Sequence, residues 1–345
     1  MSFVSYLHRV LNRENLSEAD AQAAMELILR GEATTPLIAA FLVALRMKGE
    51  SADELVGFAR AMLINGRQIR VRTEKPLVDT CGTGGDGLQT INISTISAFV
   101  IAGAGVRVAK HGNRSLSSLC GSADIFEELG VHIDLEPSCA ALLIESVGMA
   151  FFFAPRVHPA MRHAQAARQE LKMRTAFNLL GPLTNPAGAT VQLVGAASVR
   201  SAELLAKSLA SLGLQRGFVV HGFDGLDEIS ISGETLLFEI QRGAIADRTV
   251  TPADFGVNAA PLSEIRGGER KENAEIALSI LSGERGPKRD IVLMNAAAAL
   301  VAAGKATNFY DAMALAAESI DSGAAKAKLR ELAQASHSVT DTPVK

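Results

Sequence analysis

Leu77-Val78-Asp79-Thr80-Cys81-Gly82-Thr83-Gly84-Gly85-Asp86-Gly87-Leu88-Gln89-Thr90-Ile91-Asn92-Ile93-Ser94-Thr95 decides how the rest of the chain is read. Leu77-Val78 reads as the end of a strand and residues 93–106 as a helix, with four glycines gathered around Asp86 between them. Without Cβ atoms, successive N–H groups of such a turn can point into one concavity, which suits phosphate oxygens. Asn92, Ser94 and Thr95 add side-chain donors where the helix presents its positive end. The run carries neither the dinucleotide fingerprint nor the Gly-Lys-Ser/Thr ending of a P-loop. It points to a phosphorylated ligand and gives no special indication of a nucleotide cofactor.

Working outward, short apolar runs alternate with helical patterns after Leu77. Strands are predicted at Val106-Arg107-Val108, Val131-His132-Ile133, Phe151-Phe152-Phe153, Val191-Gln192-Leu193-Val194, Gly217-Phe218-Val219-Val220 and Leu236-Leu237-Phe238. Helices are predicted near 122–129, 137–147, 159–170, 200–212, 273–281 and 291–303, the last alanine-rich and buried. This alternation indicates an α/β domain with a mostly parallel central sheet, its active edge at the strands' carboxyl ends. Upstream, the first 65 residues read as helices alone. Ser17 caps one, Thr35-Pro36 opens the next, and Ser51-x-x-Glu54 forms a capping box for a third. The tail from His337 is polar and expected to fray.

The chain has 345 residues, enough for two domains, with 48% apolar and 21% charged residues. A net charge of -3 provides no global basic field for nucleic acid. Three cysteines (Cys81, Cys120 and Cys139) have neither the number nor the spacing of a disulfide framework or a zinc site. No acidic or histidine partner for Cys81 is identifiable, which argues against nucleophilic chemistry. No secretory leader or membrane-spanning run is apparent, so the default expectation is a reducing, cytoplasmic setting.

Two further clusters bear chemistry. Lys110-His111-Gly112-Asn113-Arg114 follows a predicted strand and precedes Ser115, Ser117, Ser118, Gly121 and Ser122, forming a second plausible anion cradle. Asp227-Glu228 lies on the loop after Val219-Val220, where both carboxylates can turn toward one hard cation. With phosphate loops nearby and no Cys/His set, Mg²⁺ is the expected ion, and Asp86 is a weaker candidate for that charge network. A basic middle segment holds Arg156, His158, Arg162, His163, Arg168, Lys172 and Arg174, and periodicity does not choose among them. The clusters fit a multiply phosphorylated molecule clamped through Mg²⁺, undergoing either phosphoryl transfer or loss of diphosphate from a sugar carbon. The absence of kinase and ATPase signatures weighs against phosphoryl transfer.

In order along the chain stand Gly82-Thr83-Gly84-Gly85-Asp86, Asn92-Ile93-Ser94-Thr95, Lys110-His111-Gly112-Asn113-Arg114, Gly121-Ser122-Ala123-Asp124, Arg174-Thr175-x-Phe177-Asn178, Gly181-Pro182-Leu183-x-Asn185-Pro186 and Asp227-Glu228. This series closely resembles the anthranilate phosphoribosyltransferases of tryptophan biosynthesis. The resemblance implies a small N-terminal helical domain (1–70, with part of 165–190 packing on it), a large α/β domain (75–340) and a homodimer. It implies transfer of the phosphoribosyl group of 5-phosphoribosyl 1-diphosphate to the amine of anthranilate, with Mg²⁺ as cofactor and neither nucleic acid nor membrane as partner. Carried over by motif, Gly82, Gly84, Gly85 and Asp86 surround the diphosphate, and Thr90, Asn92, Ser94, Thr95, Lys110, Gly112 and Ser122 fall among the substrate-binding positions. Asp227 and Glu228 with Ser94 hold Mg²⁺, Asn113 and Arg168 receive anthranilate, and His111 and His158 flank the channel. Lys172 stands where the family commonly has glycine, and Gln89-Thr90-Ile91 is an atypical approach to Asn92. A pyrimidine nucleoside phosphorylase and a non-catalytic nucleic-acid-binding relative are the competing readings. The first lacks its serine-threonine continuation after Lys110-His111, and the second lacks a basic surface.

Overall fold

The computed structural model describes residues 1–67, 69, 71, 73–115 and 119–339. Four helices open the chain: α1 (Phe3–Leu11), α2 (Glu18–Leu29), α3 (Thr35–Lys48) and α4 (Ala52–Asn65). The Ser17 side chain accepts from the Asp20 amide, and Ser51 and Glu54 cap each other reciprocally, so the predicted starts of α2 and α4 hold. The fully buried Glu54 also accepts from Lys48 Nζ at 2.9 Å and from the Leu16 amide at 3.0 Å. Gly57 lets α4 press against α2, since a Cβ there would lie 2.3 Å from the Glu18 carbonyl oxygen.

The α/β part runs β1 (Leu77–Asp79), α5 (Ile93–Gly103), β2 (Arg107–Gly112), α6 (Ser122–Glu128), α7 (Pro137–Ser146), β3 (Met149–Phe153), α8 (Ala154–Val157), α9 (Arg162–Leu171) and α10 (Phe177–Leu180). It continues through β4 (Val191–Gly195), α11 (Val199–Ser211), β5 (Arg216–Gly222), β6 (Thr235–Gln241) and β7 (Ala244–Val250). Four helices close it: α12 (Arg270–Leu281), α13 (Pro287–Ala302), α14 (Phe309–Asp321) and α15 (Ala324–Ser338). The seven strands form one sheet in the order β3-β2-β1-β4-β5-β6-β7. Pairing is parallel from β3 through β5 and antiparallel at β5-β6 and β6-β7, giving the mostly parallel sheet expected. Strand order reverses at β1, whose Val78 registers with both Val108 of β2 and Val191 of β4. A crevice at the carboxyl ends of β1 and β4 follows from that reversal, and it is where ligands settle in open sheets.

Three expectations need correction. Val131-His132-Ile133 is not a strand. Val131 and Ile133 are buried as predicted, but the His132 amide donates to Ser336 Oγ of α15 at 2.9 Å and finds no ladder partner. Strand β7 escaped prediction because Ala244 to Thr249 are all exposed on the sheet edge, so no buried face marks the period. The tail is helical to Ser338 where fraying was expected from His337, and residues 340–345 lie outside those described.

Two buried apolar clusters carry the packing. The larger surrounds α5 and α13 and one face of the sheet. Thirteen of the 16 residues of α13 are buried, and its alanines allow close approach of neighbouring helices. The other cluster joins α1–α4 to Ala164, Ala167, Phe177 and Leu180, and continues into α11 and the opposite face of β4 and β5. The 164–183 stretch therefore packs on the opening helices, while that core extends beyond them.

Candidate functional site

The glycine-rich segment leaves β1 at the strand reversal and leans on the end of β4. The Thr83 amide donates to the Gly195 carbonyl at 2.9 Å, and the Ala197 amide donates to Thr83 Oγ1 at 3.2 Å. Gly84 and Gly85 have φ of +62° and +80°, a conformation that favours glycine. Gly195 is needed for another reason: a Cβ there would sit 1.6 Å from the Asp227 carbonyl oxygen. That contact brings the acidic loop after β5 onto the glycine loop after β1.

Beside this junction lies Lys110 of β2, only 2% exposed. Its ammonium donates to the Thr80 carbonyl at 3.0 Å and reaches Ser94 Oγ at 3.4 Å. Ser94 occupies the first turn of α5, where its amide faces the Glu228 carboxylate. The Asp227 carboxyl lies against that of Asp86. Burial and the Asp86 charge push the Asp227 carboxyl up to about 7, while burial and Asp227 raise Glu228 well above the ordinary value. Carboxylates crowded this way repel one another, and a hard cation bound by oxygen ligands relieves that repulsion. The all-oxygen set of Asp86, Asp227, Glu228 and Ser94 fits Mg²⁺.

Orphaned polar atoms mark the same region. Asn92 Nδ2 donates to the Cys120 carbonyl, but Asn92 Oδ1 and Thr95 Oγ1 are buried without a hydrogen-bond partner. His111 Nδ1 donates to the Gly181 carbonyl at 3.1 Å, tying β2 to the 178–186 turn, and its Nε2 has no partner. Burial pushes His111 down to about 4, so the ring is neutral. Asn113 is exposed, and Ser122 Oγ at the start of α6 donates to its carbonyl at 3.3 Å. Gly112 fits under the same turn, because a Cβ there would meet Ser122 Oγ at 2.2 Å. Arg168 of α9 stacks over the Phe177 ring at 5.2 Å, and no carboxylate pairs with it among the described residues.

Residues 74–326 match the model of the glycosyl transferase family a/b domain, and residues 4–66 match that of the helical bundle domain. The chain is 58% identical over 334 residues to the anthranilate phosphoribosyltransferase of Solibacter usitatus, covering 96% of this chain and 98% of that one. The chain belongs to the anthranilate phosphoribosyltransferase family. Identity to the Moorella thermoacetica enzyme is 55% over 327 residues, covering 94% and 96% of the two chains. The crystal structure of the Thermus thermophilus anthranilate phosphoribosyltransferase superposes with a TM-score of 0.91 at 42% identity, covering 96% and 99%. The Saccharomyces cerevisiae enzyme in complex with PRPP and Mg superposes with a TM-score of 0.88 at 28% identity, covering 97% and 98%. These relatives agree with the transferase reading and not with a nucleoside phosphorylase or a nucleic-acid binder.

Within this family frame, some expected positions serve other ends in the structure. Arg114, expected in an anion cradle, is engaged by Asp124 at 2.9 Å and by Glu127 at 2.5 Å, so it braces α6. Thr90 forms an isolated bridge with Arg266. Ser117 and Ser118 fall outside the described residues. Cys81 does have an acid and a histidine nearby, contrary to the sequence reading: its sulfur, Asp79 and His111 offer ligand atoms within 4.8 Å of one another. Burial nevertheless pushes the Cys81 thiol up to about 12, which keeps it protonated and a poor nucleophile. Asp79 is already committed to Asn185 Nδ2 at 2.7 Å and to the His111 amide at 3.2 Å.

Sequence reasoning gave no role to Asp79 or Asn185 beneath the loops, to Gly195, or to Asn295, which bonds the Ile229 backbone beside the acidic pair. Asp79, directly ahead of the glycine run, and Asn185, within the Gly181–Pro186 motif, carried local signals, and the other two carried none. No helix among the described residues is long and apolar enough to cross a membrane.

Proposed function

We propose that this chain transfers the phosphoribosyl group of 5-phosphoribosyl 1-diphosphate to the amine of anthranilate, releasing diphosphate. The observation that carries the reading is the meeting of the glycine loop, buried Lys110 and the Asp227-Glu228 pair at the carboxyl ends of β1, β2, β4 and β5. Gly82, Gly84, Gly85 and Asp86 would surround the diphosphate, and Thr90, Asn92, Ser94, Thr95, Gly112 and Ser122 would line the phosphoribosyl end. The unpartnered Asn92 Oδ1 and Thr95 Oγ1 support that placement. Asp227 and Glu228 with Ser94 would hold Mg²⁺, which when bound supplies neutralising charge at the diphosphate.

Lys110 and the loop amides are preorganised donors toward charge that develops as the ribosyl C–O bond breaks and its electron pair leaves with diphosphate. Arg168 and Asn113 would orient anthranilate so that its neutral amine approaches that carbon as the C–N bond forms, the amine proton passing to the released diphosphate or to water. The aromatic amine is unprotonated near neutral pH, so no strong general base is required, consistent with a His111 ring of low basicity. In this reading residues 1–70, with part of 165–190, form the helical domain, 75–340 form the catalytic α/β domain, and the chain acts as a cytoplasmic homodimer.

The test follows anthranilate fluorescence with 5-phosphoribosyl 1-diphosphate and Mg²⁺, omitting each in turn. Absence of tryptophan and the presence of only two tyrosines keep the protein background low. Loss of signal only in the complete mixture is expected. Consumption that ignores the diphosphate sugar, or none at all, would reject the reading.

A further inference from the structure

Arg174 lies in the connection between α9 and α10, yet it works on the glycine loop 90 residues earlier. Its Nη1 donates to the Gly84 carbonyl at 2.6 Å. The loop is shaped around the guanidinium: Gly85 has φ +80°, and a Cβ there would come within 1.9 Å of Nη1. Asp227 and Asp86 both attract Arg174, and Arg46 of α3 repels it. Among the described residues it makes no direct ion pair. A positive charge therefore faces Asp86 and Asp227, the second of them proposed to hold Mg²⁺, without touching either.

We infer that Arg174 is the chain's own counter-charge for the Asp86–Asp227 cluster, disfavouring entry of a free divalent cation so that metal arrives together with diphosphate. The inference rests on the assignment of Asp227 and Glu228 to Mg²⁺. A bare cation entering the cluster is repelled by Arg174, whereas a metal–diphosphate complex carries net negative charge and is attracted. Arg174 is on this account a positioning residue that acts through the carboxylates. The sign of its effect separates this role from a bracing one. If the bond to Gly84 merely steadied the loop, removing it would loosen the carboxylates and weaken metal binding.

The experiment measures Mn²⁺ binding by electron paramagnetic resonance on the full chain without substrate. R174Q is expected to bind free Mn²⁺ about tenfold more tightly than the wild type at low ionic strength, and R174K about as weakly as the wild type. Equal or weaker Mn²⁺ binding by R174Q would overturn the inference. D227N/E228Q separates the two claims. If it keeps wild-type Mn²⁺ binding, the metal assignment itself fails. If it loses Mn²⁺ while R174Q is unchanged, only the role of Arg174 fails. Should R174Q not fold, thermal denaturation of the wild type decides the matter. Mg²⁺ alone is expected to leave Tm nearly unchanged, and Mg²⁺ with inorganic diphosphate to raise it. A full rise with Mg²⁺ alone would refute the idea.

Discussion

Asn295 of α13 clasps the backbone of Ile229, the residue directly after the acidic pair. Its Oδ1 accepts from the Ile229 amide at 3.0 Å, and its Nδ2 donates to the Ile229 carbonyl at 3.2 Å. Nδ2 also reaches the Ile291 carbonyl at 2.9 Å, so the fully buried side chain is satisfied. The backbone beside Glu228 is thus held by a helix residue 66 positions after Ile229.

Asn295→Leu keeps the branched shape and heavy-atom count but leaves the Ile229 amide and carbonyl unpaired. A stability loss of about 2–4 kcal/mol is expected, together with a higher Mg²⁺ requirement for turnover. Denaturant unfolding and a Mg²⁺ titration of activity check both. A variant as stable as the wild type with an unchanged Mg²⁺ requirement would show that the clasp does not direct Glu228.

Arg168→Ala should lower kcat/KM for anthranilate by about a hundredfold, the scale of one charge-assisted contact, while the KM for the diphosphate sugar changes little. Steady-state kinetics with each substrate varied separately distinguishes this from a brace against Phe177. A brace would disturb both substrates equally.

Lys172 caps α9 at φ +47°, in the left-handed region that favours glycine. Lys172→Gly should raise stability by about 0.5–1 kcal/mol by relieving the backbone. Thermal denaturation reads the shift, and a lower Tm would contradict it.

His158 and His111 pack edge to face at 5.4 Å, and burial pushes them down to about 3 and about 4 from an ordinary 6.5. His158 Nε2 donates to the Thr184 carbonyl at 2.9 Å, and its Nδ1 is buried without a hydrogen-bond partner. The unfolded chain takes up protons below pH 6.5 while the folded chain does not. Their contribution is therefore fully present above pH 6.5 and declines as pH falls toward 4, at about 1.4 kcal/mol per pH unit for each ring. His158→Gln should flatten the acid limb of a stability–pH curve by about that slope. An unaltered slope between pH 6 and 4 would show that His158 is not held neutral.

Much of the site was legible because glycines and charged groups follow strand ends directly. The Gly82–Asp86 run, Lys110 and Asp227-Glu228 each announce a loop at the same sheet edge, whatever lies between them. Helix starts at Ser17 and Ser51 were equally local, since a cap is written within four residues. The failures were of another kind. Val131-His132-Ile133 has strand-like side chains, but a strand exists only where a neighbour offers its backbone. Ser336 took that amide instead. Arg114 resembled an anion ligand until Asp124 and Glu127 claimed it.

By itself the sequence determined the α/β alternation, the opening helices, the phosphate-suited loop and the family, because these depend on residue order and local backbone preference. Only the tertiary structure decided which groups share a field. Asp227 lies against Asp86, Arg174 folds back onto Gly84, and Asn295 holds Ile229. Burial and Coulomb forces act through space, and the distances that set them arise only once the sheet reverses at β1 and the later helices close over it.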